Sequence, residues 1–476
     1  VNQEKNYYHR FLEPLFFQVL NTPQEKRKDC FRHEFWGKIP FLNGGLFEPH
    51  RHDLYEAIEP FGHSKNINTL KIPDEWFLEL FKLFELYNFT IDESTTIDVD
   101  ISVDPEMLGR IFENLLAEIN PQTGETARKS TGSYYTPRPI VEYMVDESLK
   151  QYLKTQTGVD EDKLARLLSY AEDAEGFKEA EEDSIIDALD RVKIIDPACG
   201  SGAFPMGILH KMLLILQKID PESKKWLTRK LARIDNKLLR KELEAKLKSE
   251  NWDYVHKLGI IQNSIYGVDI QPIAVEISKL RFFLSLIVDE KIDDKKPNRG
   301  IVPLPNLEFK FVAANSLIGL PHMTQFSQME IFEARDDIGK LKELRDAYFT
   351  SYGDEKKDIE GEFQKIQDKM YEYTLKEMAT HKKTLETQTL KLSEWKPFAD
   401  EAASWFDPEW MYGVKDGFDI SIGNPPYFNV STIDKDFLGY LLNRYRAIHT
   451  GYNDIVYYFI YLGIELLKNT GCCTLI

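Results

Sequence analysis

Apolar residues recur along the chain in two patterns, one typical of amphipathic helices and one typical of buried strands. Helical spacing marks about the first 120 residues, as in Phe11–Leu20 and Trp76–Tyr87, and an Asn43-Gly44-Gly45 turn interrupts it. From about residue 190, short β-branched runs alternate with helical stretches. This order predicts a helical N-terminal domain, residues 1–125, and an α/β domain, residues 126–476, with a mostly parallel sheet and helices on both faces.

Several predicted strands end in polar or glycine-containing turns. Such turns end the apolar runs in Val192–Phe204, Ile265–Ile270, Asn306–Leu320 and Phe418–Tyr427, and Gly471–Ile476 begins a further strand. In open α/β sheets, ligands bind outside the carboxyl ends of the strands. We therefore expect these four turns to carry the ligand-binding motifs.

Helices are predicted between the strands and in two charged insertions. The insertions lie at about residues 217–260 and 325–395, and the second is predicted to be an antiparallel pair broken near Ser351-Tyr352-Gly353. The basic stretch Pro221–His256 fits either a solvated helical pair or a surface that faces DNA. Other predicted helices are Pro105–Leu116, Ile140–Leu149, Pro205–Gln217 and Asp454–Lys468, the last with Ile460, Ile464 and Leu467 on one face.

Composition narrows the class of protein. The hydrophobic fraction of 42% and the mean hydropathy of −0.40 are ordinary for a globular chain of 476 residues, and neither a membrane span nor a signal peptide is visible. We therefore expect a soluble, cytoplasmic protein. Four cysteines are too few and too unevenly spaced for a disulfide framework or a zinc cluster. The net charge of −18 argues against a polyanionic partner, although phosphate contacts need only a local basic face.

The most distinctive turn is Asn424-Pro425-Pro426-Tyr427, which follows the apolar strand containing Ile420 and Ile422. The Asn424 amide oxygen and the Pro425 carbonyl can both accept hydrogen bonds from one amino group, and the Tyr427 ring can stack on the planar group that carries it. The residues therefore predict a site for an exocyclic amine on a planar base. A proline-stiffened turn with a capping asparagine would have the same sequence.

A glycine-rich turn, Asp196-Pro197-Ala198-Cys199-Gly200-Ser201-Gly202, follows the first predicted strand. Gly200 and Gly202 permit a ligand to approach the backbone closely, and the chain lacks the Gly-x-x-x-x-Gly-Lys pattern of a triphosphate-binding loop. A dinucleotide-binding fold would use a similar turn.

Three further positions fit a nucleoside-containing ligand. Thr136 and the adjacent amides precede a helix that Pro137 can open, and such a helix start attracts a carboxylate. Asp269 can accept hydrogen bonds from two ribose hydroxyls, and Ile270 can lie on an adenine face. Simple helix caps would look much the same at Thr136 and Asp269.

Taken together, these motifs resemble a known family. Asn424-Pro425-Pro426-Tyr427 resembles the catalytic motif of amino-group methyltransferases. The order of the motifs, in which the Gly-rich turn follows the element Tyr135-Thr136-Pro137, resembles that of the gamma-type adenine-N6 DNA methyltransferases. Within that group the chain is most similar to the methylase region of type IIG restriction-modification enzymes and related phage-defence methylases. The resemblance implies a Rossmann-like S-adenosylmethionine-dependent methyltransferase sheet that acts on a flipped adenine in double-stranded DNA without a metal.

The resemblance also implies roles for individual residues. Asn424, Pro425, Pro426 and Tyr427 would be catalytic. The cofactor S-adenosylmethionine would be bound by Tyr135, Thr136, Asp196, Ala198, Gly200, Gly202, Asp269, Ile270, Asn315 and Ser316. Many relatives carry Asp where this chain has Asn315, whose amide oxygen can still accept a hydrogen bond. Cys199 is expected to be structural, because amine methylation needs no covalent enzyme intermediate.

Other functions remain open at this point. Release-factor glutamine methyltransferases share the Asn-Pro-Pro-Tyr turn, cytosine-N4 enzymes use the same geometry, and a cofactor- or DNA-binding scaffold need not transfer anything. The family pattern includes further strands and a target-recognition domain after residue 476 and, in type IIG enzymes, a nuclease domain upstream. We therefore expect a catalytic domain that is incomplete at its C-terminus.

Overall fold

The computed structural model describes residues 6–43, 47–49, 71–86, 136–173, 176–233, 252–290, 292–321, 328–381, 388–399, 401–448 and 454–476. The predicted helix Pro105–Leu116 and the candidate residue Tyr135 lie outside the described residues. Within those ranges, no helix is both long enough and apolar enough to cross a membrane.

The described residues contain five strands and fifteen α-helices. The strands are β1 (Ile194–Asp196), β2 (Ile265–Asp269), β3 (Phe311–Ala313), β4 (Phe418–Gly423) and β5 (Leu467–Leu475). The helices up to β2 are α1 (Glu34–Gly37), α2 (Asp74–Leu86), α3 (Arg138–Thr157), α4 (Glu161–Leu168), α5 (Glu179–Arg191), α6 (Ala203–Ile219), α7 (Lys224–Arg233) and α8 (Trp252–Asn263). The remaining helices are α9 (Pro272–Ile287), α10 (Gln328–Tyr348), α11 (Gly353–His381), α12 (Gln388–Glu394), α13 (Pro408–Tyr412), α14 (Lys435–Arg444) and α15 (Val456–Glu465).

The strands form one parallel sheet in the order β3-β2-β1-β4-β5. The chain builds outwards from β1 to β3, then returns to the other side of β1 with β4. A topological switch point therefore lies between β1 and β4, where the crossover connections leave in opposite directions and open a crevice at the carboxyl ends. The predicted Rossmann-like α/β architecture is confirmed.

The sheet is buried on both faces, as its apolar strands require. Ile194 packs into one hydrophobic core with α3, α5, α6 and α8, whereas the next residue, Ile195, packs into a second core with α11, α13 and α15. On β4, Phe418 lies in the second core but Ile420 and Ile422 lie in the first. The amides of Asp419 and Ile420 both donate to the Lys193 carbonyl, which is the pattern of a β-bulge and accounts for the change of face.

The last helix and strand differ from the prediction. The sequence predicts a helix to Lys468, yet α15 ends at Glu465 and β5 already begins at Leu467. Pairing with β4 accounts for the earlier strand, since Leu467 pairs with Phe418, whose amide donates to Leu466. The exposed fractions of Ile460 and Ile464 are 38% and 59%, so this side of α15 faces outwards.

The described part of the basic stretch is a helical pair. Lys225 and Arg229 of α7 form ion pairs with Glu182, Asp183 and Asp187 of α5. These carboxylates neutralise two of the basic side chains that a DNA-facing surface would need. Acidic side chains of α5 and basic side chains of α7 therefore neutralise each other.

The second insertion is the predicted helical pair, and an N-terminal segment docks against it. Helices α10 and α11 are separated at Phe349–Tyr352, close to the predicted break. The buried Asn43 side chain donates to the carbonyls of Leu304 and Ser351, which fixes the N-terminal segment to the α/β core and to this break. Phe47 packs against the first core.

Candidate active site

A cleft of about 280 Å³ lies at the carboxyl ends of β1, β2 and β4, at the switch point. Five segments contribute to its wall: the start of α3, the turns after β1, β2 and β3, and the chain from β4 to α15. The lining residues are Thr136, Asp196, Pro197, Ala198, Cys199, Gly200, Ser201, Ala203, Phe204, Asp269, Ile270, Gln271, Ala274, Asn315, Ser316, Leu317, Asn424, Pro426, Phe428, Phe437, Ile455 and Phe459.

The Gly-rich loop, Asp196–Gly202, is supported from behind by α9. Ser278 Oγ donates to the Gly200 carbonyl at 2.9 Å, and Arg281 donates to the Ser201 carbonyl at 3.0 Å. Gly202 adopts a φ of +84°, and a Cβ there would lie 2.9 Å from Ser278 Oγ. The absence of a side chain at Gly202 therefore allows α9 to pack closely. Gly202 is not among the residues that line the cleft, so the predicted ligand approach applies to Gly200 alone.

Asp269 joins this loop to β2. One carboxylate oxygen accepts from the Gly200 amide at 3.0 Å, and the other accepts from the Gln271 amide at 2.8 Å. Each oxygen has a second lone pair and can accept from a ligand hydroxyl as well. Asp269 therefore fixes the loop and still presents acceptors to the cleft.

Two carboxyl groups, those of Asp196 and Asp269, line the cleft. Burial raises the pKa of Asp269, and it holds the pKa of Asp196 well above its usual range. Asp196 Oδ2 has no hydrogen-bond partner in the described part of the chain, and the side chain is 1% exposed. No lysine or arginine is among the lining residues. A buried carboxyl group and a half-buried one, without a basic partner in the wall, favour a cationic ligand over a phosphate-bearing one.

The Asn424 turn, Asn424–Tyr427, follows β4 and lies against Asp196. A Cβ on Gly423 would lie only 2.5 Å from Asp196 Oδ1, so a glycine is needed for the turn to approach the Gly-rich loop. Asn424 and Pro426 line the cleft. The Asn424 side-chain nitrogen donates to the hydroxyl of Thr136 at 3.1 Å.

The other two residues of the turn lie outside the cleft lining. Pro425 is buried, and the Tyr427 side chain is 37% exposed beside the cleft. An exposed ring next to a cleft is available to stack on a planar group that enters from solvent.

The far side of the turn is held by Asp454, just before α15. Asp454 Oδ1 accepts from the Phe428 amide and the Val456 amide, each at 3.2 Å. The Ile455 amide donates to the Phe428 carbonyl at 2.9 Å. The connection after the Asn424 turn is thus fixed by residues that adjoin the next helix.

The turns after β2 and β3 complete the site. Ile270 is 56% exposed at the cleft, as expected for a residue that covers the face of a ligand ring. Asn315 Oδ1 accepts from the Leu317 amide at 3.2 Å, which forms a local turn and leaves the second lone pair of this oxygen available. Ser316 is buried and lines the cleft next to it.

The structure thus brings ten of the predicted residues to one cleft: Thr136, Asp196, Ala198, Gly200, Asp269, Ile270, Asn315, Ser316, Asn424 and Pro426. Pro425, Tyr427 and Gly202 adjoin it without lining it. Cys199 is buried, and burial raises the pKa of its thiol well above its usual range, which is unlike the thiolate that a nucleophile needs.

An apolar wall of the cleft was not predicted. Phe428, Phe437, Ile455 and Phe459 line it from the connection after β4, from α14 and from the start of α15. Their sequence context resembles ordinary core positions of amphipathic helices, so periodicity alone does not mark them. The one available signal is that Phe428 directly follows the Asn424 turn.

Comparison with known proteins finds a family and a protein that the chain resembles. Residues 263–476 match the family described as Eco57I restriction-modification methylase. Over 532 aligned positions, the chain is 30% identical to a protein of Methanocaldococcus jannaschii described provisionally as a type II restriction enzyme and methyltransferase. The alignment covers 98% of this chain and 40% of that protein, so the chain spans less than half of this relative's length.

Proposed function

We propose that this chain is a restriction-modification methylase. In this proposal it transfers a methyl group from S-adenosylmethionine to the N6 amine of an adenine turned out of double-stranded DNA. The observation that supports this proposal best is the single cleft in which the Gly-rich loop and the Asn424 turn meet, across the switch between β1 and β4. Direct transfer requires the methyl donor and the acceptor amine to share one cleft.

The residues present fit S-adenosylmethionine. This cofactor carries a positively charged sulfonium and an ammonium group, and the cleft offers the carboxylates of the buried Asp196 and the half-buried Asp269 without a lysine or arginine in its wall. Asp269 would accept from the ribose hydroxyls, Asn315 from the adenine amino group, and Ile270 would cover the adenine ring. Thr136 and the start of α3 would hold the carboxylate of the amino-acid end.

The chemistry on the acceptor side depends on the Asn424 turn. The bound cofactor supplies an electrophilic methyl group. The Asn424 side-chain oxygen and the Pro425 carbonyl would accept hydrogen bonds from the two N6–H groups, which shifts the amine nitrogen towards tetrahedral geometry and frees its lone pair for in-line attack. The bond from the methyl carbon to sulfur would break as the N–C bond forms, and one N6 proton would then leave to solvent. Positioning and hydrogen bonding carry the rate, because no strong acid or base is needed.

An adenine in a duplex cannot reach this turn unless it leaves the base stack. That extrusion costs a few kcal/mol, and stacking on an aromatic ring returns about 1 to 3 kcal/mol per base. Tyr427, which is 37% exposed beside the cleft, would supply the stacking. Asn at position 424 favours adenine over cytosine, for which related enzymes often carry Ser.

We also propose the wider context. The chain would be the modification part of a type IIG restriction-modification or phage-defence system that binds double-stranded DNA. Residues 1–125 would form a helical connector domain, and residues 126–476 would form the catalytic domain with its two helical insertions.

Nucleoside analysis tests the proposed reaction. The full-length protein is incubated with S-adenosylmethionine carrying a labelled methyl group and with duplex DNA, and the DNA is digested and separated by mass spectrometry. We expect label on N6-methyladenine. Label on cytosine, label on a glutamine-containing peptide offered in place of DNA, or no transfer at all would each contradict the proposal.

A further inference from the structure

The Asn424 turn makes one side-chain contact with a residue from a distant part of the chain. Asn424 Nδ2 donates to Thr136 Oγ1 at 3.1 Å across a sequence separation of 288 positions. Thr136 is 8% exposed, and both side chains line the cleft. The contact joins the start of α3 to the turn that would hold the target amine.

A side-chain amide has a donor end and an acceptor end, and a half turn about its last bond exchanges them. Only the oxygen can accept a proton from a target amine, because the NH2 end would oppose it donor to donor. When Nδ2 is bound to Thr136, Oδ1 is the end that remains for the target. The orientation in which Asn424 donates to Thr136 is therefore the productive one.

A hydroxyl alone cannot hold that choice. Thr136 Oγ1 can accept from the Asn424 nitrogen, but it can also rotate and donate its proton to the Asn424 oxygen, which would favour the reversed amide. The orientation of the amide is fixed only when the hydroxyl donates its proton to an acceptor other than Asn424. Among the described residues, no protein group accepts a hydrogen bond from this hydroxyl, and Thr136 lines the cleft.

We propose that Thr136 is a positioning residue that couples cofactor binding to the orientation of the Asn424 amide. This inference rests on the proposed function, in which a carboxylate of the cofactor lies near the start of α3. Thr136 donates its proton to that carboxylate and accepts from Asn424 Nδ2, so that Asn424 Oδ1 is presented to the target amine. A chain of hydrogen bonds in a buried site strengthens each of its members.

The coupling has a thermodynamic consequence. If the bound cofactor favours the productive amide, it also favours capture of the target base, and the bound target favours the cofactor by the same factor. The coupling depends on the Thr136 hydroxyl rather than on its bulk. Valine keeps the shape of threonine without the hydroxyl, and serine keeps the hydroxyl.

The test compares Thr136→Val with Thr136→Ser in the full-length protein. The kcat is measured at saturating S-adenosylmethionine, and the Kd for duplex DNA carrying the target site is measured with and without S-adenosylhomocysteine. We expect Thr136→Val to lower kcat about tenfold, the worth of one ordinary hydrogen bond, and to abolish the gain in DNA affinity that S-adenosylhomocysteine produces in the wild type. Thr136→Ser should retain both properties.

Two results would overturn the inference. A Thr136→Val protein that raises the KM for S-adenosylmethionine but keeps the wild-type kcat would show that Thr136 only holds the cofactor. Equal behaviour of the Val and Ser variants would show that the hydroxyl is not the active group. Thermal melting of both variants separates these results from a loss of folding.

A double-mutant cycle keeps the test decisive. Asn424→Asp presents oxygens at both ends and has no donor end to select, so Thr136→Val should cost less kcat in this background than in the wild type. An equal loss in both backgrounds would contradict the coupling. A wild type that methylates no DNA refutes the proposed function and the inference with it, whereas a methylating wild type with an unaffected Thr136→Val variant refutes the inference alone.

Discussion

The Gly-rich loop and the Asn424 turn line the same cleft, but they are held in place in different ways. The Gly-rich loop is fixed through its backbone by residues of the next strand and helix, among them Asp269 and Ser278. The Asn424 turn is partly exposed and depends on Thr136, at a sequence separation of 288 positions, and on Asp454, which lies 26 positions after Phe428. The loop is therefore fixed through its backbone, whereas the Asn424 side chain depends on a side-chain contact from a distant part of the chain.

This difference predicts that substitutions near the two regions affect different properties, cofactor binding in one case and methyl transfer in the other. Changes behind the Gly-rich loop should weaken cofactor binding, because the loop would shape the donor pocket. Changes to the supports of the Asn424 turn should slow transfer and leave cofactor binding nearly intact. Asp196 lies where the two regions touch, so a substitution of Asp196 should affect both cofactor binding and methyl transfer.

Gly423→Ala should give the largest effect, because it separates the two regions. The new Cβ would lie 2.5 Å from Asp196 Oδ1, and the fully buried carboxylate cannot retreat. A displacement of about 1 Å costs roughly 100-fold in rate, so we expect kcat to fall by about that factor. Gly439→Ala in α14 is the control, because nothing lies within 4 Å of its added Cβ. Wild-type turnover by Gly423→Ala would show that the turn does not need this close approach.

Gly202→Ala should weaken cofactor binding about tenfold, as expected for a loss of about 1.4 kcal/mol. Its φ of +84° and the 2.9 Å approach of Ser278 Oγ both oppose a side chain. Gly176→Ala is a matched control, since Gly176 has a φ of +83° but nothing within 4 Å. Both variants should lose about 1 to 2 kcal/mol of stability from the left-handed backbone, measured by thermal melting.

Calorimetry with S-adenosylhomocysteine then separates the two glycine variants. Only Gly202→Ala should bind it more weakly than the wild type. A similar loss of affinity in Gly176→Ala would mean that backbone strain, and not the loop support, controls binding.

Asp454→Ala should slow transfer about threefold to tenfold, because the Asn424 turn loses a hydrogen-bonding support. Asp434→Ala is the control: Asp434 also accepts from two backbone amides, those of Asp436 and Phe437 at the start of α14. Both variants should lose about 1 kcal/mol of stability as cap deletions. If kcat falls equally in both, the Asp454 contact is not specific to the turn.

The affinity for S-adenosylmethionine, whose sulfonium gives it a net positive charge, should fall a few-fold as the pH is lowered from about 8 towards 5. Burial raises the pKa values of Asp196 and Asp269, so in the free protein these groups take up protons at a higher pH than an ordinary carboxyl group. A cationic ligand favours the ionised forms, and its binding must therefore expel protons as the pH falls. Asp269→Asn should flatten this dependence in calorimetry, and an affinity that is equal at both ends of the range would contradict it.

The sequence predicted the features of the site that depend on residues close together in the chain. Each strand that carries a motif is an apolar run that ends at a polar or glycine-containing turn, so Asp196, Asp269, Asn315 and Asn424 could be assigned to one sheet edge before the fold was known. The parallel order of the strands followed from their alternation with helices.

The supports of the site could not be predicted, because they are contacts between distant residues. Thr136 alone looks like a helix cap, and nothing near it in sequence indicates that it contacts Asn424. Asp454 likewise resembles a simple cap before α15, and Phe437 and Phe459 resemble core residues. The start of β5 at Leu467 was missed because strand pairing with Phe418 overrides the helical spacing that precedes it.

The most direct measurement compares methyl transfer and cofactor binding in Asn424→Ala, with Asn429→Ala on the same connection as the control. If the Asn424 turn holds the amine and the Gly-rich loop holds the cofactor, Asn424→Ala should bind S-adenosylhomocysteine within about threefold of the wild type while its transfer to DNA falls by about 100-fold or more. Asn429→Ala should retain both. Undiminished transfer by Asn424→Ala would contradict the account.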